Sequence, residues 1–305
     1  MDKRQKEILQ NQLKAEEAEL NQLKEIYAEA LKRIEDNIAL LLGREDADMQ
    51  HVIYRVEYQK ALKKQISAVL DELNAKQFKS IAEYTAYCYE NGFISTMYDL
   101  AGQGIPIITP LEKEQVVDAM KHDTKISEGL YMKLGKDVDV LKRDISDAVS
   151  RGIASGMGYS EIARDIAAVG KISCNKAKRI AQTEGARVYN TASYNAQKKA
   201  KEKGANIVKQ WNATLDGKTR PSHRRVDGEI RDLDEKFSNG LMHPSDPRGK
   251  AADVINCRCS LMQRAVWNLD EEELETLKKR AEYFGLDKTE NFDDFKKKYL
   301  KAAAE

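Results

Sequence analysis

The chain has 305 residues, with 51 Lys and Arg against 50 Asp and Glu, so its formal net charge of +1 excludes a global field steering it to nucleic acid or an anionic membrane. With 33% charged residues and a mean hydropathy of −0.65, it suits two or three unequal parts with much solvated helix surface better than one compact globule. No apolar run approaches the roughly 20 residues that cross a bilayer, and the charged start MDKRQKEILQ lacks a signal-peptide core, so synthesis in a cytoplasm is expected.

From residue 3 to 42 there is no proline or glycine, and Leu20, Leu23, Tyr27, Leu31, Ile34, Ile38 and Leu41 fall at helical spacing. The series Leu13, Leu20, Tyr27, Ile34 and Leu41 repeats every seven residues. It suits a coiled coil with a second helix or another subunit, and equally a packed helical hairpin. Gly43 should end this element, and Asp46 or Asp48 could cap a second helix through Tyr54, Val56, Leu62, Ile66, Val69 and Leu73. Residues 79–100 are rich in aromatics (Tyr84, Tyr87, Tyr89, Phe93, Tyr98) that read as core packing, and AGQGIPIITP then reads as a connection.

Candidate helices follow at 113–120, 126–134 and 138–153. Gly156 and Gly158 should end the last of these, Ser160 should cap a short helix to Ala168 with Glu161 in its first turn, and Ser173 precedes a helical run stopping at Gly204. On that run Arg179, Thr183, Glu184, Arg187 and Asn190 share part of one face. A solvated face with a Glu184–Arg187 pair is the simpler expectation, and a buried hydrogen-bonded network the alternative. After Gly204 the pattern becomes alternating, with a short strand at 207–213 and an Asp216-Gly217 turn. Asn268 or Asp270 should cap a closing Lys-rich helical region interrupted at Gly285.

The expected fold class is therefore mainly α with a small α+β domain. The expected parts are a long-helix region at 1–104, a helical middle at 105–204, a compact β/turn-rich module at 205–266 and a helical Lys-rich tail at 267–305.

Residues 211–259 hold one of two tryptophans, two of four histidines, two of four cysteines and three of five prolines, so rigid turns and soft ligands coincide there. Cys88 and Cys174 lie in helix-like stretches and read as buried free thiols, whereas Cys257 and Cys259 are separated only by Arg258. A Cys-x-Cys disulfide would be strained, which leaves metal ligation or a free thiol pair. His223, His243, Cys257 and Cys259 suffice chemically for a tetrahedral structural Zn2+, as does a three-ligand set of His223, His243 and Cys257. The competing arrangement is a metal-free network of Asp216, His223, Asp227, His243 and Arg258, with Arg220, Arg224 or Arg258 paired to Asp216, Asp227 or Asp246. Cys257 or Cys259 with His243 and Asp227 can also be drawn as nucleophile, base and orienter. No phosphate loop, HExxH motif or nucleophile elbow accompanies them. A staple explains the set better than a catalytic residue does.

The order of these residues resembles the phage Mu F-like family of minor head proteins, the phage head morphogenesis proteins. The resemblance rests on a helix with Arg179, Thr183, Glu184, Arg187 and Asn190, then Trp211, Asp216, Arg220, His223, Asp227 and Gly228 in the spacing W-x4-D-x3-R-x2-H-x3-D-G. Phe237, His243-Pro244-Ser245-Asp246-Pro247 and Asn256-Cys257-Arg258-Cys259 complete it, so that it covers about residues 145–265. Some family members carry T-C-x-x-C before the Asp-Gly; here Arg220 and His223 occupy the cysteine positions, which favours an ion at His223 and argues against a four-thiolate site.

The resemblance implies a low-copy, non-enzymatic component of a tailed-phage virion head, assembled with the portal protein and the scaffold or major capsid protein, and in some relatives ejected with DNA. The heptad stripe offers a face for partners or self-association, and the KKR and KKK clusters of the tail offer weak phosphate contact alongside their solubilising role. The alternative from another class is a metal-dependent hydrolase or nuclease using His223, His243 and Asp227.

Overall fold

The computed structural model describes residues 3–42, 52–120, 125–155, 157, 159–266 and 271–304. Its helices are α1 (Lys3–Leu42), α2 (Val52–Gly102), α3 (Lys113–Met120), α4 (Lys125–Ala154), α5 (Tyr159–Glu202), α6 (Pro221–Arg225), α7 (Ala251–Val254), α8 (Glu271–Tyr283) and α9 (Phe292–Ala304). The strands β1 (Ile207–Asn212), β2 (Ile230–Arg231) and β3 (Ser260–Ala265) form one antiparallel sheet in the order β2-β1-β3. The chain is thus mainly α with a small α+β part. Among the described residues no helix is long and apolar enough to cross a membrane. The stops expected at Gly43, Gly156 and Gly158, and the caps expected at Asp46 or Asp48 and at Asn268 or Asp270, lie outside the described residues.

Two expected interruptions do not occur. The segments 126–134 and 138–153 are one helix, α4, in which Gly135 faces open space and costs only the roughly 1 kcal/mol of a helical glycine. The short helix to Ala168 likewise continues into α5, because Gly170 is where Leu31 packs against the helix too closely for a side chain. The glycine is a contact surface there, not a stop.

The chain divides into two compact units that do not follow its order: residues 18–82 with 128–181, and residues 1–17, 83–127 and 182–305. In the first, Leu23, Tyr27, Ile34 and Ile38 of α1 are buried, as are Leu62, Ile66 and Leu73 of α2, Leu134 and Leu141 of α4 and Ile166 of α5. Tyr27 Oη donates to Gln77 Oε1 at 2.9 Å and lies 3.2 Å from Ser173 Oγ, which satisfies its buried hydroxyl. Tyr27 and Ile34 of the heptad series are therefore spent within the chain, while Leu13 of that series is 55% exposed.

In the second unit the aromatic end of α2 forms the core with α5 and α9, through Tyr89, Phe93, Tyr98, Val188, Phe295 and Tyr299. The Lys-rich end is docked: Phe292, Phe295, Tyr299 and Ala302 of α9 are buried, and Tyr299 Oη donates to Thr109 O at 2.8 Å while accepting from Thr109 N at 3.1 Å. Within the KKK cluster Lys296 pairs with Glu90 at 2.6 Å and Lys298 with Asp294 at 2.9 Å, so two of its three charges are already matched inside the protein.

Candidate metal centre and its supporting module

β1 alternates in burial, and its inward positions are Ile207, Lys209 and Trp211. Trp211 is fully buried and meets the rings of His223 and Phe237 edge-on, each at 5.2 Å between centroids. Beyond β1, Asp216 nucleates a turn by accepting Lys218 N at 2.9 Å on its own carboxylate, and Pro221 at the first position of α6 starts the turn that carries His223 inward. Gly228, at φ +75°, returns the chain to β2 and donates its N–H to Trp211 O at 2.9 Å.

The cysteines arrive from the other side. α7 ends at Val254, Cys257 N donates back to Val254 O, and Asn256 between them adopts φ +56°, a conformation asparagine tolerates better than most residues. That bend points the sulfurs of Cys257 and Cys259 at one ring nitrogen: Cys257 Sγ lies 3.6 Å and Cys259 Sγ 3.4 Å from His223 Nδ1. A tetrahedral zinc with Zn–S near 2.3 Å and Zn–N near 2.0–2.1 Å sets S···N at about 3.5 Å. The three ligand atoms all lie within 4.8 Å of one another, and the residues are 1%, 2% and 4% exposed. The three donors and their spacing therefore fit three corners of the shell of a soft, tetrahedral cation.

The S–H of Cys259 stabilises the Cys257 thiolate and, with His223, holds Cys257 well below its ordinary range despite burial. The same bond and the burial push Cys259 up, because a second charge beside the first would be uncompensated. A divalent cation removes that conflict by accepting both thiolates. The Trp211 indole N–H, buried without an oxygen acceptor among the described residues, is among the groups that favour the charged form of Cys259.

His243 is not part of this group, contrary to the four-ligand and the His223, His243, Cys257 expectations. It is buried against Tyr194, with ring centroids at 5.4 Å, and its Nδ1 is 2.9 Å from Pro244 O. Burial lowers its pKa, so it serves as a neutral packing ring that donates to a carbonyl. Asp227 accepts Ala213 N at 2.8 Å. The nucleophile, base and orienter drawn from Cys257 or Cys259, His243 and Asp227 are thus not assembled, nor is a hydrolase set of His223, His243 and Asp227.

The expected ion pairs form only in part. Arg258 clamps Asp216 with two bonds of 2.5 and 2.7 Å and holds its carboxyl well below the usual range, whereas Arg220 donates to Ile255 O and Arg224 to Asp216 O. Asp246 organises its own turn by accepting Met242 N at 2.9 Å and Arg248 N at 3.0 Å, beside the buried Pro244.

On α5, burial overturns the solvated-face expectation. Glu184 and Arg187 are 0% and 4% exposed and pair at 2.9 and 3.1 Å, and Arg187 also donates to Ala119 O. Thr183 Oγ1 accepts Asn256 N at 3.0 Å, which anchors the bend before Cys257. Asn190 accepts Leu261 N at 2.8 Å and donates to Cys259 O at 3.2 Å, as a neighbouring strand would. Arg179, within the 128–181 stretch of the other unit, is exposed.

Three supporting residues escaped the sequence reading. Gln103, at the end of α2, donates to Gln263 O and accepts Ala265 N, continuing the amide lining that Asn190 begins on the outer edge of β3. Asp253, on α7, lies 4.0 Å from His223 Nε2. Lys209, fully buried, donates to Leu233 O and Met242 O at 2.9 Å each and faces the rings of Tyr194 and Phe237. The available signal was a lysine at an inward position of an alternating strand.

Residues 143–262 match the family model of the phage Mu protein F like protein. The chain is 30% identical over 248 residues to the NAD(+)–arginine ADP-ribosyltransferase EFV of Enterococcus faecalis, an alignment that covers 80% of this chain and 50% of that protein. It is 36% identical over 125 residues to the minor head protein GP7 of Bacillus phage SPP1, covering 40% of each. The chain spans half the length or less of these curated relatives. No solved structure matches it.

Proposed function

We propose that this chain, whose residues 143–262 match the phage Mu protein F like family model, is a structural component of a tailed-phage head, acting in head morphogenesis beside the portal and the scaffold or major capsid protein. The likeness to minor head protein GP7 carries the reading. The geometry agrees with it: Thr183, Asn190, Trp211, Asp216 and Arg258 are spent on bonds and packing that hold the module together, not on a reactive cleft.

Within that role the His223–Cys257–Cys259 centre is a structural zinc site, a staple for a module whose sheet has only three strands and whose β2 is two residues long. The ion would fix α6 against the turn between α7 and β3. Its contribution is folding energy, not chemistry.

Mass spectrometry of purified heads and a pull-down with portal protein test the function. A few copies per head and retention on portal are expected; absence from heads together with no portal binding overturns the proposal. The Enterococcus faecalis relative's name motivates a transferase reading, and the same preparation tests it: neither NAD+ cleavage nor arginine modification is expected.

A further inference from the structure

We infer that Asp253 is the positioning carboxylate of the His223–Cys257–Cys259 centre, accepting the Nε2 proton of His223 and so fixing the tautomer that offers Nδ1 to the ion. The inference rests on the zinc reading of that centre. A neutral imidazole has one proton, and the nitrogen that lacks it is the ligand. Nδ1 is the atom that faces both sulfurs, so in the loaded site the proton must sit on Nε2. Among the described residues Nε2 is buried without a hydrogen-bond partner, and a buried donor left unpaired is costly.

Asp253 Oδ1 stands 4.0 Å from this nitrogen. Closing to a hydrogen bond of about 2.8–3.0 Å requires a movement of roughly 1 Å, within reach of a side chain that is 31% exposed. Its backbone is already set, because α7 begins at Ala251 and Asp253 N donates to Lys250 O at 2.8 Å. Ser222, the neighbour of His223 on α6, holds the carboxylate on the correct side by donating to Oδ1 at 3.4 Å. A carboxylate in this relation to a metal-bound histidine orients the ring and raises its basicity.

The test uses the full chain loaded with one equivalent of zinc and titrated against a chromophoric chelator. Asp253→Ala should weaken zinc binding by about 10–100-fold, Asp253→Asn, which keeps an acceptor oxygen without the charge, by less, and Ser222→Ala by less than about twofold. In 15N-resolved spectra the His223 Nε2–H should be protected from exchange in the unmutated protein and lose that protection in Asp253→Ala. Melting in EDTA should be the same for Asp253→Ala and the unmutated chain, since the effect acts through the ion.

Zinc at one per chain with equal affinity in both proteins overturns the role of Asp253 and leaves the metal centre standing. An equal loss of stability with and without zinc also overturns it, by making Asp253 a helix residue only. No zinc in the unmutated chain overturns the centre itself.

Discussion

Asn190→Ala removes the side chain that completes the outer edge of β3 next to Cys259. Asn190 is fully buried and makes three bonds, of which the one to Ala186 O is dispensable because a helical carbonyl keeps its backbone partner. The other two are not: the buried Leu261 N and Cys259 O would face a methyl group in place of the amide. Each unsatisfied backbone group costs about 1–3 kcal/mol, so a loss of about 2–6 kcal/mol is expected against a typical total of about 5–15. Urea unfolding followed by tryptophan fluorescence reads this, since Trp211 pairs with Leu261 across the sheet. The midpoint should fall while the slope is kept. Asn190→Asp should be no milder, because it sets a buried carboxylate against Cys259 O. A loss below about 0.5 kcal/mol for Asn190→Ala would refute the surrogate-strand role.

Lys209 gives a pH signature. Burial lowers its pKa from 10.5 to about 8. Below about pH 8 both states hold the proton and the folded state bears the cost; between about 8 and 10.5 the unfolded chain binds more protons, so stability rises with pH across that window, by up to about 3 kcal/mol. Relative to Lys209→Met, which has nothing to titrate, the unmutated chain should gain stability over this window in denaturant melts; parallel profiles would contradict the buried cation. Glu184→Gln leaves the Arg187 guanidinium buried beside a neutral amide and should cost about 3–5 kcal/mol, whereas Asp216→Asn at the exposed Arg258 pair should cost less than about 1. Comparable losses at the two sites in thermal melts would contradict the difference in burial.

The long helices were readable because α1, α2 and α4 repeat apolar residues every three or four positions, and the short strand at β1 because the period changes to two. What the pattern could not convey is partnership across the chain. The helix expected to stop at Ala168 runs on through Gly170, where Leu31 packs, and Glu184 and Arg187 read as a solvent pair until burial closes over them. The soft ligands of the candidate centre were visible from their clustering. Choosing between His223 and His243 needed the turn at Asn256, since only that bend decides which ring the thiols reach. Gln103 was beyond sequence reasoning, because it meets β3 from 160 and 162 residues away and carries no local signature.

The most direct measurement is the metal content of the full chain purified without added chelator, determined by elemental analysis beside Cys257→Ser. A zinc staple at His223, Cys257 and Cys259 predicts about one zinc per unmutated chain and a large loss in the variant, with a lower melting temperature. No stoichiometric metal in the unmutated chain, or equal metal in both, would contradict it.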